Sequence, residues 1–234
     1  MRARPLTVVL ALFLTLIAVG SAHSQTLPPP TCEYGSEPAP MLSGDPLLAL
    51  VDTSFHLPSG YAPTNLVSVR TAGLDDDRTL IEPAVRDLKR LLEAAARQGL
   101  HYELQSAYRS YGYQEQVFSG WVATLGEEQA LLTSARPGHS EHQLGTALDL
   151  RSAGGPAPWD LEDWAQTPEG EFMAQNSWKF GFVMSYPEDS QAVSCYAYEP
   201  WHFRWVGEEI AARVAGSGLT LREWLWHELQ EEER

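Results

Sequence analysis

The firmest periodic signal in the chain lies between Leu80 and Gln98. Leu80, Ile81, Ala84, Val85, Leu88, Leu91, Leu92, Ala95 and Ala96 recur at helical spacing. Pro83 suits a first turn and Gly99 the position just past the end, so a helix is predicted over 80–98. A strand is predicted from Tyr102 to Ala107, then a helix from Tyr111 to Leu125, broken near Gly120 and stopped by Gly126. Thr146 to Leu150 alternates with the period of a strand, and Thr167 to Lys179 reads as a helix stopped by Gly181. Phe182–Tyr186 and Tyr196–Tyr198 are strand candidates. Thr220 and Glu223 form a capping-box pair that opens a closing helix, whose tail from Glu231 to Arg234 is expected to fray. Interspersed helices and short, turn-linked strands indicate an α+β fold, with a small, mostly antiparallel central sheet flanked by helices.

Residues 25–65 are rich in Pro, Gly and Ser and carry no sustained period. They read as an extended segment, ending near residue 70, ahead of a single domain over 71–234. Leu47–Val51 is a candidate short buried piece and Asn65–Val69 a candidate strand. At the N-terminus, Arg2 and Arg4 precede an apolar run from Leu6 to Val19 and the small residues Gly20, Ser21, Ala22 and Ser24. That pattern is a signal peptide over 1–24, cleaved after Ala22 or Ser24, and it predicts an exported protein, periplasmic or extracellular. The run is short for a spanning helix, so no stable membrane insertion is expected after cleavage.

Charge narrows the partners. The chain holds 16 basic and 31 acidic residues, and loss of Arg2 and Arg4 leaves 14 against 31, a net of −17. Such a surface repels polyphosphates and argues against nucleic acid as a partner, while leaving a small peptide compatible. Two cysteines occur, Cys32 and Cys195; export would let them persist as a disulfide. A monomer is expected.

Two of the seven histidines sit in informative surroundings. In Ser140-Glu141-His142-Gln143-Leu144-Gly145-Thr146-Ala147-Leu148-Asp149, a turn permitted by glycine can bring an imidazole and a carboxylate from the following strand to one point. In Glu199-Pro200-Trp201-His202, Pro200 steers Glu199 away from helical geometry, so a strand or loop presents a base and a ligand side by side. His142, Asp149 and His202 would leave a fourth position open, as a catalytic zinc requires. Zinc lowers the pKa of bound water to about 7, and a nearby carboxylate, here Glu199, can take its proton and later pass it to a leaving amine. From spacing alone a second reading stays open: unligated histidines, with Asp149 paired to Arg151.

The pattern Ser140-x-His142-x-x-Gly145-x-Ala147-x-Asp149 followed by Glu199-x-x-His202 resembles the VanY-like D-alanyl-D-alanine carboxypeptidases, within a zinc peptidase superfamily that includes hedgehog-type domains. Ser106-Ala107-Tyr108-Arg109-Ser110-Tyr111-x-x-Gln114 looks like the substrate-arginine segment of that family, and the likeness runs over about 80–208. It implies one Zn2+ per chain on His142, Asp149 and His202, Glu199 as general base, and a peptidoglycan stem peptide as substrate. The N-terminal stretch and the helix after Thr220 lie outside it.

Arg109 could stabilise the tetrahedral oxyanion, where preorganised donors are worth about 3 kcal/mol, or grip the terminal carboxylate of the substrate. Tyr108, Gln114, Ser140 and Trp201 are the other candidate substrate contacts; Ser140 could instead orient the ligand loop, and Trp201 could be core. His139 is expected to be an outer neighbour or exposed, and Trp159, Trp164, Trp224 and Trp226 to serve packing rather than sugar binding. The activity expected first is hydrolysis of the terminal D-Ala-D-Ala bond. An L,D-carboxypeptidase or an endopeptidase could use the same metal machinery, and a non-catalytic zinc or wall-binding module would not need Glu199.

Overall fold

The alternation of Tyr102–Ser106 and Ala147–Ser152 sorts their side chains onto two faces of one sheet, and that sorting organises the domain. The computed structural model describes residues 27–234. The signal-peptide reading of 1–24 falls outside the described residues.

In chain order the strands are β1 (Glu37–Pro38), β2 (Phe55–His56), β3 (Leu66–Ser68), β4 (Thr79–Ile81), β5 (Tyr102–Ser106), β6 (Ala147–Ser152), β7 (Phe182–Met184) and β8 (His202–Trp205). The helices are α1 (Glu82–Ala96), α2 (Tyr111–Leu125), α3 (Glu127–Thr133), α4 (Pro168–Asn176), α5 (Gln191–Ser194), α6 (Glu208–Ser217) and α7 (Leu221–Glu232). The central sheet has the order β5-β6-β8-β7 and is antiparallel throughout, while β1–β2 and β3–β4 form small two-stranded pairs.

One face of the sheet carries Leu104, Leu148, Leu150 and Phe203, packed against Ala84, Val85, Leu88 and Leu91 of α1 and Phe172 and Met173 of α4. Each fully buried side chain of this kind contributes about 1.5–3 kcal/mol. The opposite parity places Asp149 on β6 directly across from His202 on β8, with Arg204 two residues further along. Buried polar chemistry therefore lies behind the apolar core, on the same two strands.

Residues 27–57 wrap that polar face. They share a second apolar cluster with the C-terminal helices, in which Leu42 and Leu50 meet Val214, Trp224 and Leu225. The segment is fastened by a Cys32–Cys195 disulfide and by a buried Arg222–Asp52 ion pair of 2.6 Å. The Thr220–Glu223 capping box is present at the start of α7. No helix among the described residues is long and apolar enough to cross a membrane.

Several predicted elements shift. Leu80 and Ile81 belong to β4, fully buried opposite Val67 and Leu66, and the helix starts at Glu82. Helix α2 runs unbroken through Gly120, whose missing side chain faces open space. Tyr196–Tyr198 is a loop: Cys195 takes a left-handed conformation (φ 73°) at the end of α5 and breaks any extension. The last three positions of the predicted 167–179 helix fall in a 3-10 turn over Ser177–Phe180, ended at Gly181. Helices α3, α5 and α6 are additions to the predicted set.

Candidate metal centre and active-site cleft

His142 rides a 3-10 turn over Glu141–Leu144 that Ser140 opens by accepting the His142 N–H on its side chain. Gly145 closes the turn at φ 73°, and a Cβ there would meet Pro63 at 2.9 Å and Leu66 at 3.0 Å, so both backbone and space demand glycine. The turn delivers the chain into β6, which presents Asp149. A register shift between Leu104 and Ser106 in β5 sets Ser106 opposite Asp149; such a bulge re-aims the chain beside it. The segment that follows is pinned to the ligand turn, because the Arg109 N–H donates to the His142 carbonyl at 3.2 Å.

The three side chains converge. One ligand atom each from His142, Asp149 and His202 lies within 4.8 Å of the others, and all three residues are buried. His142 Nδ1 is 2.7 Å from the Ala107 carbonyl, which can only accept, so Nδ1 carries the proton and Nε2 is left with its lone pair. That Nε2 is buried without a hydrogen-bond partner, 3.4 Å from Asp149 Oδ2. Burial, with the Arg109 charge, holds the His142 pKa down to about 4, so the ring is neutral near pH 7. His202 Nδ1 lies 2.9 Å from Asp149 Oδ1, and its Nε2 lies 2.9 Å from Glu141 Oε2. Burial works against a charge on that ring, but hydrogen bonds to Asp149 and Glu141 outweigh it and raise its pKa to about 10. The Asp149 carboxyl sits well below its usual range: burial opposes this, and the His142 and His202 interactions prevail.

This donor set fits a divalent cation. Two imidazoles and a carboxylate face one point, a buried lone pair has nothing to bind, and the far nitrogen of each ring is held by an oxygen. Asp149 faces both histidines; Arg151 pairs with Glu103 across β5 and β6 at 2.5 Å instead.

Glu141 is the residue that the sequence reading missed. Its Oε2 accepts from Ser185 at 2.6 Å as well as facing His202, and its Oε1 accepts from Arg204 at 2.9 Å. Arg204 in turn donates to the Leu47 and Ala49 carbonyls of the N-terminal segment. Burial would raise the Glu141 pKa, but the Arg204 charge and the His202 and Ser185 hydrogen bonds bring it down to about 2. Its adjacency to His142 is the sole local signal; Arg204 is 63 positions away.

In front of the metal centre lies a cleft of about 540 Å3, lined among others by Asp149, Glu199, Arg109, Tyr108 and Trp201. Glu199 is set by its N–H to the Tyr186 carbonyl and by its own carbonyl, which accepts from His202. Burial, reinforced by the Asp149 and Glu141 charges and opposed by His202 and Arg109, pushes its pKa up to about 8. Arg109 feels the Asp149 and Glu199 charges, and its Nε is buried without a partner. Arg78, the other cation lining the cleft, is engaged by Asp76 and by the Leu104 and Gln105 carbonyls.

Two expected substrate contacts stand elsewhere. Ser140 is buried behind the cleft and holds the ligand turn. Gln114 is fully buried and ties α2 to the chain opposite by donating to the Ala135 carbonyl at 2.7 Å. Trp201 does both things asked of it, lining the cleft while packing on the core. His139 is buried away from the metal centre, bonded through Nδ1 to the Asp52 carbonyl and packed edge-on to Tyr34. Trp164 and Trp224 are core, whereas Trp159 is 43% exposed on the cleft wall, which corrects its assignment to packing.

Residues 77–208 match the family model described as VanY: D-alanyl-D-alanine carboxypeptidase, more than half of the chain. The chain belongs to the VanY family. The putative carboxypeptidase YodJ of Bacillus subtilis (strain 168) is 34% identical over 182 residues, covering 76% of this chain and 66% of that protein. The chain spans about half to two thirds of the length of YodJ and of the D-alanyl-D-alanine carboxypeptidases of Enterococcus faecium and Enterococcus faecalis that it matches. Among solved structures, the LdcB LD-carboxypeptidase superposes with a TM-score of 0.69 at 33% identity, covering 79% of this chain and 88% of LdcB. A mutant of the vancomycin-resistance D,D-pentapeptidase VanY from a VanB-type cassette, in complex with Zn(II), gives 0.66 at 28% identity, covering 77% and 99%. The α+β architecture with its small antiparallel sheet is thus the fold of these VanY-family neighbours.

Proposed function

We propose that this protein is a zinc-dependent carboxypeptidase that removes the terminal D-alanine from peptidoglycan stem peptides. The observation that carries the reading is the unpartnered His142 Nε2, turned toward Asp149 and His202 beside a cleft that Glu199 and Arg109 also line. The VanY-type neighbour described in complex with Zn(II) supports the choice of metal. Bound on His142, Asp149 and His202, zinc would supply an acidified water and polarise the scissile carbonyl. The Glu199 carboxylate accepts the water proton and returns it, as a carboxylic acid, to the departing amine. Arg109, which lines the cleft, would bind the free carboxylate that distinguishes a chain end from an internal peptide bond. Tyr108 and Trp201 line the same cleft beside these groups.

An L,D-carboxypeptidase is the second reading, and it is favoured by the likeness to LdcB. Mass spectrometry of isolated muropeptides after incubation separates the two. Pentapeptide stems should shorten by one D-alanine; shortening of tetrapeptide stems alone would replace the first reading with the second, and shortening of neither would remove both. We also propose that the protein works outside the cytoplasm, where its Cys32–Cys195 disulfide would persist; recovery of the processed chain only from the cytosol would contradict this.

A further inference from the structure

Four large apolar side chains are prominently exposed among the described residues: Leu27, Tyr113, Leu125 and Trp159. The last three, at 55%, 43% and 43% exposure, all line the cleft that contains Glu199. Exposed apolar surface gathered in one concave place marks a binding groove more than a failure of packing. The packed tryptophans show the contrast, with Trp164 and Trp224 almost wholly buried.

Trp159 is also held. Its ring lies 6.2 Å from Trp121 at 86° and 6.0 Å from Trp201 at 75°, so two perpendicular indoles brace it. The three come from separate places: the turn after β6, helix α2, and the segment leading into β8. An aromatic fixed in this way loses little freedom when a ligand arrives.

The charge pattern selects the ligand. In a chain with 31 acidic residues, the carboxylates that line this cleft are Asp149 and Glu199, both at the metal centre. The aromatic half has no carboxylate to pair with an ammonium, which favours a neutral group with one apolar face and one wet face.

We propose that the aromatic half of the cleft is a saccharide platform, with Trp159 stacking against the C–H face of a pyranose ring in the glycan that bears the stem peptide. This rests on the peptidoglycan reading above and goes beyond it: the enzyme recognises wall-attached stems through their sugar as well as their peptide.

The test uses the zinc-loaded full chain in two arms. In the first, peptide-free peptidoglycan glycan chains are titrated by calorimetry. The wild type should bind them saturably, Trp159→Ala should bind at least tenfold more weakly, and Trp159→Phe should recover part of the loss. In the second, kcat/KM is compared for a disaccharide-pentapeptide and the identical free pentapeptide. The wild type should prefer the glycosylated substrate by about tenfold, mainly through KM, and Trp159→Ala should bring that ratio close to one. Unchanged zinc content and melting temperature would show that the variants remain folded. Absence of glycan binding by the wild type, or binding that survives Trp159→Ala, overturns the proposal. So does dependence of the free pentapeptide on Trp159, which would assign the platform to a stem side chain. Glycan binding without cleavage of either substrate would sink the carboxypeptidase reading and leave the platform standing.

Discussion

Two buried charge clusters hold this molecule together, and they differ in whether their hydrogen-bonding capacity is used up. In the clasp between the N-terminal segment and α7, Asp52 accepts from Arg222 and from the Ser54 and Phe55 N–H groups. Arg222 also donates to the Val193 and Pro30 carbonyls. The cluster closes on itself. At the metal centre the carboxylate at the rear is satisfied in the same manner, Glu141 being held by Ser185 and Arg204, although Arg204 Nε is itself buried without a partner. The front is open: His142 Nε2 and Arg109 Nε are buried with no partner. Buried charge alone does not mark a site, because both clusters have it. An uncompensated lone pair beside a cleft does, since burying a polar atom unpaired costs about 1–3 kcal/mol unless a ligand compensates it.

The largest expected effect follows from emptying the open cluster. Chelation should abolish hydrolysis, and zinc should restore it. Zinc at about 1,000 times its Kd should also raise stability by about 4 kcal/mol, seen as a higher melting temperature. His202→Ala should lose both activity and metal. If the chelated enzyme retained full turnover, the open cluster would be only a structural oddity.

Next in size is Glu199→Ala, which should reduce kcat by about 10^2–10^4-fold, the usual worth of a positioned acid-base group, while zinc content by elemental analysis stays at one per chain. A wild-type rate in that variant would remove Glu199 from the chemistry.

The two clusters can then be set against each other by paired substitutions. Glu141→Gln and Asp52→Asn each leave a buried arginine without its counter-charge, so each should cost about 3–5 kcal/mol in denaturant unfolding. Only Glu141→Gln should weaken zinc, by about 10–100-fold, because only Glu141 orients a ligand histidine. Acid adds a signature. The Glu141 pKa of about 2 lies below its ordinary 4.5, so its stabilisation is complete above 4.5 and is lost as pH falls toward 2. The Gln variant should lack that limb of the zinc-free stability curve. Equal loss of zinc in both variants would erase the distinction between clasp and centre.

Legibility from sequence divides along the same line. Asp149 and His202 are opposite one another because Thr146–Leu150 alternates and Gly145 permits the turn before it, and both signals are local. Glu141 was not legible because its meaning comes from Arg204 and Ser185, more than forty positions away. Leu80 and Ile81 fit either a helical face or a buried strand, and a run of two apolar residues cannot distinguish the periods. Helix α3 is seven residues long and buries little beyond Ala130, too weak a stripe to register. Tyr196–Tyr198 looks extended by composition, yet the left-handed Cys195 beside the disulfide turns it into a loop.

The smallest effect concerns what joins the two clusters. The Cys32–Cys195 disulfide ties the N-terminal segment to the loop that leads to Glu199, four residues on, and Tyr34 meets Tyr196 hydroxyl to hydroxyl at 3.4 Å. Cross-links of this kind stabilise by about 2–4 kcal/mol, mainly by restricting the unfolded chain. Cys32→Ser with Cys195→Ser should therefore lower the denaturant midpoint by an amount in that range and leave zinc stoichiometry at one. The Asp52–Arg222 pair and the Leu50–Leu225 cluster remain to hold the segment, so kcat should fall by less than tenfold. Adding Asp52→Asn to the double serine variant should then remove the second fastening and cost more than the two changes sum to separately, because each tether limits the motion the other would permit. Simple additivity would mean that the segment folds onto the domain as independent pieces, and the clasp would lose its standing as one cooperative unit.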